Sequence, residues 1–125
     1  MVRILRGCGR VNRQCMDAGL EFLGENAVDH AVPFDAAFWS IVDPVTLLFT
    51  QPHQEEIAAD TVPYFIRNEF LDDDVNKWTS LARDPGGVRT LFEATAGDMD
   101  ASARHREVFR PLGLGDELRA VLRTR

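Results

Sequence analysis

The sequence predicts an α+β fold, because one aromatic and β-branched stretch alternates as strands do, whereas most other apolar residues recur at helical spacing. The chain has 125 residues, of which 45% are hydrophobic and 27% charged, as in an ordinary globular protein of one domain. No apolar stretch approaches the length that crosses a membrane, and no secretory leader opens the sequence. We therefore expect a single domain over residues 1–125, located in the cytoplasm, with no membrane partner.

The charge balance argues against a protein that binds nucleic acid with its whole surface. The formal net charge is −6 and the isoelectric point is near 5.0, whereas nucleic-acid binders usually carry a basic surface. Acidic residues outnumber basic ones most strongly over residues 31–100, which we interpret as a solvated surface. Direct binding of nucleic acid is therefore not expected.

The first thirty residues predict an amphipathic helix. Glycines weaken its start, so we place the helix at residues 10–30 and treat residues 1–9 as a lead that frays. Its apolar stripe can pack on the domain's own core or on a second copy of the chain. On one helix the two cysteines would be about 10 Å apart, too far for a disulfide, so we expect free thiols. The stripe follows alternating steps of four and three residues: Ile4, Cys8, Val11, Cys15, Ala18 and Phe22.

Residues 32–50 predict a β-hairpin. Aromatic and β-branched residues alternate along residues 38–43, and a second apolar run covers residues 47–50. The pair Asp43-Pro44 between the two runs is a turn signal. Two short strands across a tight turn form a hairpin.

The rest of the chain predicts mainly short helices. Residues 54–70 carry an apolar side, with Thr61 as a candidate N-cap ahead of Pro63. Residues 116–125 alternate apolar and charged side chains as a strand does, although their propensities also allow a helix. Further helical spacing occurs at Val75, Trp78 and Leu81, over residues 88–94, and from Asp100 or Ser102 to Arg110.

The helical interpretation of the C-terminal residues supports an alternative function, a small DNA-binding protein. Residues 101–110, a loop at 111–115 and residues 116–125 have the outline of a helix-turn-helix with local positive charge. Its second helix would carry Arg119, Arg123 and Arg125. The stretch offers too few apolar positions for the three-helix core that such a unit needs, so we favour the strand.

Motifs for metal binding and catalysis fail at essential positions. A calcium loop would start at Asp72, but Lys77 and Arg83 stand where the loop requires Gly and Glu. The histidines are far apart in the sequence and none has metal-ligand spacing: His30, His53 and His105. There is no phosphate-binding loop and no nucleophile motif. We therefore expect no metal, no cofactor and no enzyme activity; an enzyme with dispersed catalytic residues is a weaker alternative.

Three segments resemble the N-terminal sensory region of actinobacterial LuxR-type helix-turn-helix regulators: VPFDAAFWSIVDPVTLLFT, IAADTVPYFIRNEFLDDDVNKWTSLARDPGGVRTLFEAT and GDMDASARHREVFRPLGLGDELRAVLRTR. The resemblance covers residues 10–125. It implies a GAF-like fold, in which helices flank an antiparallel sheet that can enclose a small ligand. The family continues with further elements and a DNA-binding part beyond the point that matches Arg125. We therefore expect a sheet that is incomplete at its C-terminal end, with an unpaired edge strand at residues 117–124.

These observations predict a regulatory domain, truncated before the DNA-binding part, that acts by binding a small ligand or by forming a dimer. A homodimer would use residues 4–22 or the edge strand 117–124. A ligand would lie against aromatic side chains of the hairpin and the middle helices, with Tyr64 as a polar tip; the alternative is that these side chains only fill the core. The predicted ligand-binding residues are Trp39, Phe49, Tyr64, Phe65, Trp78 and Phe92.

Overall fold

The computed structural model describes residues 2–5 and 35–121, with the backbone alone at residues 2–5, 39, 51, 53 and 55. The helix predicted over residues 10–30 lies outside the described residues, as do Cys8 and Cys15. The fold is α+β, as predicted. Its strands are β1 (Val2–Leu5), β2 (Ala37–Val42), β3 (Phe49–Glu55), β4 (Val88–Thr90) and β5 (Leu118–Val121), and its helices are α1 (Val62–Phe70), α2 (Trp78–Leu81) and α3 (Leu91–Ala94). A π-helical segment covers His105–Phe109, and 3-10 turns cover Ala59–Thr61 and Met99–Ala101.

Strand β5 is the central strand of a three-stranded antiparallel sheet with the order β1-β5-β4. Val2 of β1 pairs with Val121, and Val88 of β4 pairs with Ala120 on the other side. The expectation of an unpaired edge over residues 117–124 is therefore wrong for the strand itself. Its two neighbours come from segments that we had expected to be a frayed lead and the start of a short helix.

The β-hairpin is confirmed, and β2 and β3 form a separate two-stranded antiparallel sheet. One carboxylate oxygen of Asp43 organises the turn by accepting hydrogen bonds from the backbone nitrogens of Val45 (3.0 Å) and Thr46 (2.7 Å). Leu47 completes the turn at φ 60°, in the left-handed region. The second strand begins at Phe49, two residues later than predicted, and extends to Glu55. For this reason the helix predicted from residue 54 begins only at residue 62.

Local signals place the ends of the helices. Thr61 directly precedes helix α1, where we placed a candidate N-cap, but its hydroxyl donates to the carbonyl of Ala58 at 2.6 Å and makes no capping bond to the helix. Helix α3 starts with a capping box, in which Thr90 Oγ1 accepts from the backbone nitrogen of Glu93 (3.0 Å) and the Glu93 carboxylate accepts from that of Thr90 (2.9 Å). Val88, predicted to be helical, belongs to β4 because it pairs with β5.

Within the described residues, the C-terminal segment does not form the second helix that the DNA-binding alternative requires, whereas Arg123 and Arg125 lie outside the described residues. Leu118–Val121 is a strand that is hydrogen-bonded on both sides, and these bonds override its helical propensity. Arg119, which that alternative placed on a DNA-facing helix, is 1% exposed. A side chain without exposed surface cannot contact a phosphate backbone.

The hydrophobic core lies between the hairpin, α2 and the π-helical segment. Partly buried side chains of β3, α1 and β5 pack around it. None of the helices in the described ranges is both long enough and apolar enough to cross a membrane. The buried members of the core cluster are Phe38, Trp78, Leu81, Val108 and Phe109.

Candidate functional site

Strand β5 buries charged residues on one face and apolar residues on the other. Glu117 and Arg119 alternate with Leu118 and Ala120, and all four are at most 5% exposed. Alternation places Glu117 and Arg119 on the same face of the strand. The structure therefore covers both faces at these four positions.

Arg104, at the start of the π-helical segment, binds Glu117 with two nearly parallel hydrogen bonds. Its Nε donates to Glu117 Oε2 at 3.0 Å and its Nη2 donates to Glu117 Oε1 at 2.7 Å. Nη1 donates to the side-chain oxygen of Asn68 at 2.8 Å, and Nη2 also donates to the carbonyl of Val75 at 3.3 Å. A bidentate hydrogen-bonded pair between an arginine and a carboxylate is both strong and fixed in its geometry.

Arg119 links the same carboxylate to helix α1 and to an aromatic ring. Its Nη1 donates to Glu69 Oε2 at 2.7 Å and its Nη2 donates to Glu117 Oε2 at 3.3 Å. Its Nε lies 2.8 Å from Glu117 Oε1, an ion-pair distance, but is not aligned for a hydrogen bond. The guanidinium carbon lies 3.8 Å from the centre of the Trp78 ring, as in a cation–π contact.

Two further carboxylates complete the network, which we call the ionic core: Glu69, Asp74, Arg104, Glu117 and Arg119. Asp74 Oδ2 accepts from the side-chain nitrogen of Asn68 (2.8 Å) and the backbone nitrogen of Arg104 (3.0 Å). Glu69 Oε1 accepts from the backbone nitrogen of Trp78 at 2.8 Å, which satisfies a free N–H at the start of α2. The ionic core therefore joins α1, the loop before α2, the π-helical segment and β5.

Pairing favours the charged forms of Glu117, Asp74 and Arg104. Burial raises the pKa of Glu117, but Arg104 and Arg119 outweigh burial and hold that pKa below its usual range. Burial also raises the pKa of Asp74, but hydrogen bonds from Asn68 and from the Arg104 backbone hold it below its usual range. Burial lowers the pKa of Arg104, and Glu117 more than compensates and raises it. Each carboxylate of the ionic core also accepts at least one hydrogen bond.

An aromatic cluster adjoins the ionic core at Trp78. The Phe49 ring lies 5.3 Å from Phe38, 5.1 Å from Phe70 and 5.2 Å from Trp78, measured between ring centres. Phe38 stacks on Trp78 at 5.5 Å. We define the aromatic cluster as Phe38, Phe49, Phe70 and Trp78. Phe49 and Phe70 are only half-buried, so the cluster keeps exposed aromatic surface.

The structure brings together four of the six predicted ligand-binding residues. Phe49, Tyr64, Phe65 and Trp78 all belong to the hydrophobic core, whereas Phe92 is 50% exposed and lies outside it. The side chain of Trp39 is outside the described residues. Whether these residues bind a ligand stays a prediction.

The polar tip that we predicted at Tyr64 is occupied by a neighbour. Burial and, to a smaller extent, a hydrogen bond to Glu107 together raise the pKa of Tyr64 to about 12. The hydroxyl therefore stays protonated and donates to the Glu107 carboxylate. Sequence reasoning missed Phe38, Phe70 and Arg119 as partners of the predicted residues. The alternation that marked β2 as a strand already contained Phe38, but no local signal marked Arg119 as buried.

Three buried side-chain atoms have no hydrogen-bond partner among the described residues: Trp78 Nε1, Asn76 Oδ1 and the Arg119 Nε described above. Trp78 is 6% exposed and Asn76 is 8% exposed. Asn76 uses its side-chain nitrogen, which donates to the carbonyl of Arg89 at 3.3 Å. Such orphan groups are rare in folded proteins and call for a physical explanation.

His105 forms a second polar arrangement, away from the aromatic cluster. Its Nδ1 lies 2.9 Å from Asp100 Oδ1, and Arg110 donates to Asp100 Oδ2 at 2.6 Å. A carboxylate that orients an imidazole is part of many hydrolase sites, but these also need an aligned hydroxyl or thiol. The hydroxyl of Ser102 is engaged elsewhere, because it accepts from the His105 backbone and donates to Asp74. In the described ranges, no three His, Cys, Asp or Glu side chains form a metal-binding group.

Comparisons with protein-family models, with curated proteins and with solved structures found no significant match to this chain. An α+β fold by itself does not define a function. The features that bear on function are therefore the ionic core, the aromatic cluster and the orphan polar groups.

Proposed function

We propose that this chain is a non-catalytic regulatory domain that responds to a small ligand or to a second copy of itself. In this role it would act like the sensory region of the LuxR-type regulators that its sequence resembles. The proposal includes a GAF-like arrangement, for which the antiparallel sheet and its accompanying helices are the supporting feature.

The observation that carries the proposal is the contrast between the ionic core and the aromatic cluster. The charged side chains of the ionic core pair with one another and hold four segments in place. The aromatic cluster, in contrast, has half-buried rings and an orphan donor, Trp78 Nε1. A rigid charged framework beside an aromatic surface with unused binding capacity suits recognition better than catalysis.

The hairpin supports the second mode of action, association of two copies. Its turn region exposes apolar side chains that make no contribution to the core. Exposed apolar surface on a small domain commonly marks a contact with another molecule. The side chains concerned are Ile41 (55% exposed), Val45 (88%) and Leu48 (50%).

The proposal is tested on the full chain by thermal unfolding and light scattering, followed by a thermal-shift panel of small neutral aromatic compounds. We expect one cooperative transition together with either a dimer mass or a ligand that raises the melting temperature. The matched control for ligand binding is Leu112→Ala, because Leu112 is 54% exposed, lies outside the aromatic cluster and is not among the predicted ligand-binding residues, so its replacement should leave any shift unchanged. A monomer that no compound stabilises would contradict the proposal.

A further inference from the structure

The turn of the hairpin carries the largest group of neighbouring exposed apolar side chains among the described residues. Ile41, Val45 and Leu48 are 55%, 88% and 50% exposed, and they lie within eight consecutive residues. We call these three side chains the apolar tip. A partner that covers the apolar tip removes apolar surface from water, which is favourable. The other large hydrophobic residues with more than a third of their surface exposed are spread over a longer stretch: Ile66, Leu71, Phe92 and Leu112.

The turn holds the apolar tip in a fixed shape. The carboxylate of Asp43 accepts hydrogen bonds from the backbone nitrogens of Val45 and Thr46 and from the Thr46 hydroxyl at 2.9 Å. Two backbone bonds close the turn, from Leu47 to the Asp43 carbonyl at 2.8 Å and from Asp43 to the Leu48 carbonyl at 3.0 Å. A surface that is ordered before binding loses little conformational entropy when it is covered. The apolar tip can therefore be covered without first having to be ordered.

The apolar tip offers no charge to a charged partner. Asp43 is the single charged residue in the stretch 41–52. Its carboxylate is already used by the turn, and hydrogen bonds from Thr46 are the main reason that its pKa lies below the usual range. Other exposed apolar residues adjoin charged ones, as Leu71 adjoins Asp72. A neutral apolar surface therefore complements the apolar tip better than a charged surface does.

A second copy of the chain supplies such a surface. A contact about a two-fold axis brings together the same patch of both copies, so the patch must be complementary to itself. An uncharged apolar patch meets this condition, whereas a patch with a net charge repels its own copy. The formal net charge of the chain is −6, so two copies repel each other over much of their surface. The apolar tip is therefore a place where two copies can meet at low electrostatic cost.

Pairing of two hairpin sheets edge to edge is disfavoured. Strand β3 is an edge of its two-stranded sheet, and Pro52 stands in the middle of the strand. Proline lacks the backbone N–H that a neighbouring strand needs, and it commonly protects edge strands from pairing. The contact between two copies is therefore expected to use the side chains of the apolar tip.

The small area of the apolar tip limits the strength of the contact. Three partly exposed side chains offer on the order of a few hundred Å² per copy. A stable complex buries about 800 Å² per partner. The association is therefore expected to be weak and reversible, so that concentration or a ligand can shift it.

We propose that two copies of this chain associate weakly and reversibly about a two-fold axis, through the apolar tips of their hairpins. This inference rests on the proposed function and names the surface and the partner for its self-association. It also sets the expected affinity and the response to salt, which the next experiment measures.

Analytical ultracentrifugation of the full chain, from about 10 µM to about 1 mM, tests the proposal. We expect a monomer–dimer equilibrium with a dissociation constant on the order of 100 µM. Raising the salt concentration from about 0.05 M to about 0.5 M should tighten the dimer, because salt screens the repulsion between two negatively charged copies. A dimer held by ion pairs would weaken instead.

The variant Val45→Glu places a charge in the apolar tip. It should raise the dissociation constant at least about tenfold, because the substitution occurs twice in a two-fold contact. The matched control is Leu71→Glu, which adds the same charge at a residue that is 81% exposed and lies outside the apolar tip. It should change the dissociation constant less than about twofold. If Val45→Glu does not fold, Val45→Thr decides; it keeps the shape and charge of the turn and should weaken the dimer at least about threefold.

Several outcomes would overturn this inference. A dimer that Val45→Glu leaves intact would have its contact elsewhere, and equal weakening by Leu71→Glu would show an effect of net charge alone. A monomer at every concentration would also overturn it. If that monomer bound neutral phosphatidylcholine vesicles, the apolar tip would face lipid. If Val45→Glu lowered its melting temperature by more than about 5 °C, the apolar tip would contact its own chain.

The proposed function can survive each of these outcomes. A dimer formed through another surface, or a compound that raises the melting temperature of the monomer, would still support it. A monomer that no compound in the panel stabilises would contradict both the proposed function and this inference.

Discussion

Arg104 has no exposed surface, and each of its guanidinium nitrogens has an acceptor within hydrogen-bonding distance. Removing one member of a buried ion pair destabilises a protein far more than replacing the whole pair by apolar residues, because the remaining charge stays buried without a partner. The ionic core therefore makes the stability of the domain unusually sensitive to single charged residues.

Replacing Arg104 by methionine should lower the free energy of unfolding by about 3–5 kcal/mol, because Glu117 would remain buried without its main partner. Urea unfolding followed by circular dichroism measures the loss. The matched control is Arg67→Met. Arg67 pairs with Asp72 at 3.1 Å, but its side chain is 70% exposed. That change should cost less than about 1 kcal/mol.

Adding Glu117→Gln to Arg104→Met should recover part of the lost stability, since the unpaired charge is then removed. Similar losses of unfolding free energy for Arg104→Met and Arg67→Met would contradict the burial of the Arg104–Glu117 pair. They would mean that water reaches Glu117 when Arg104 is absent.

At the level of single residues, the sequence could not identify the ionic core. Arg104, Arg106 and Arg110 lie within two helical turns and look alike in the sequence, yet only Arg104 is buried. Its partners Glu117 and Asn68 are 13 and 36 residues away, so no local pattern distinguishes it. The aromatic residues were easier, because their size alone makes burial expected.

Helix α3 depends on its capping box, since four residues are too few for a helix that stands alone. Thr90→Ala removes the hydroxyl that accepts from the Glu93 backbone, and it should lower the free energy of unfolding by about 0.5–2 kcal/mol. Thermal or urea unfolding measures the change. Thr61→Ala is the comparison, because Thr61 makes no capping bond to α1. Equal losses in the two variants would argue against the capping box.

The turn after α3 contains a strained residue. Ala96 adopts φ 52°, in the left-handed region, where the Cβ of an L-residue crowds the backbone and raises the free energy of the folded chain. The side chain is exposed, so packing contacts do little to offset this cost. Ala96→Gly should therefore stabilise the domain by about 0.5 kcal/mol, after allowance for the greater freedom of glycine in the unfolded chain. The same substitution at Ala94, inside α3, should destabilise it by about 0.5–1 kcal/mol. Urea unfolding measures both changes in the free energy of unfolding. If the two substitutions change it in the same direction, the backbone at Ala96 is not strained.

At the level of elements, the sequence predicted those helices and strands that depend on neighbouring residues, and it missed those that depend on distant strand partners. The hairpin followed from alternation and the Asp43-Pro44 turn, which act within one stretch of chain. Strand β4 has only three residues, and it pairs with β5 across about thirty residues of chain. Three residues are too few to show the alternation of a strand, so the spacing of the apolar residues here predicted a helix. The position of β5 inside its sheet depends on β1 and β4 and was therefore missed with them.

The pH dependence of stability belongs to the whole domain, because the ionic core joins its segments. The pKa values of Glu117 and Asp74 are lower in the folded chain than usual. Their contribution to stability is therefore complete above about pH 4.5 and is lost as the pH falls through the folded pKa values. Asp116 opposes this trend weakly, since burial raises its pKa. The free energy of unfolding should therefore fall continuously from about pH 4.5 to about pH 3.

Urea unfolding at a series of pH values tests this expectation. Asp74→Asn should be less stable at neutral pH and should show a shallower decline in acid, because one of the two titrating groups is gone. Added salt should change the neutral-pH stability little, since buried pairs are poorly screened. An unchanged slope in Asp74→Asn would contradict the role assigned to its carboxylate.

For the molecule as a whole, periodicity correctly predicted an α+β domain, and charge composition did not reveal where the charges lie. A surplus of acidic residues suggested a solvated surface, whereas three carboxylates and two arginines are buried together. Burial of a charge depends on a partner brought in by the fold, and composition contains no information on that partner.

The central place of β5 has a consequence for synthesis on the ribosome. Residues emerge in chain order, so Glu69 and Arg104 leave the exit tunnel before Glu117 and Arg119, their partners. Strand β1, made first, must likewise wait for β5, made last among the described elements. The nascent chain therefore holds its charges in water and its aromatic rings exposed until β5 arrives, and it completes the sheet in one late step. A protein built in this way relies on chaperones during translation more than one whose first half can fold alone.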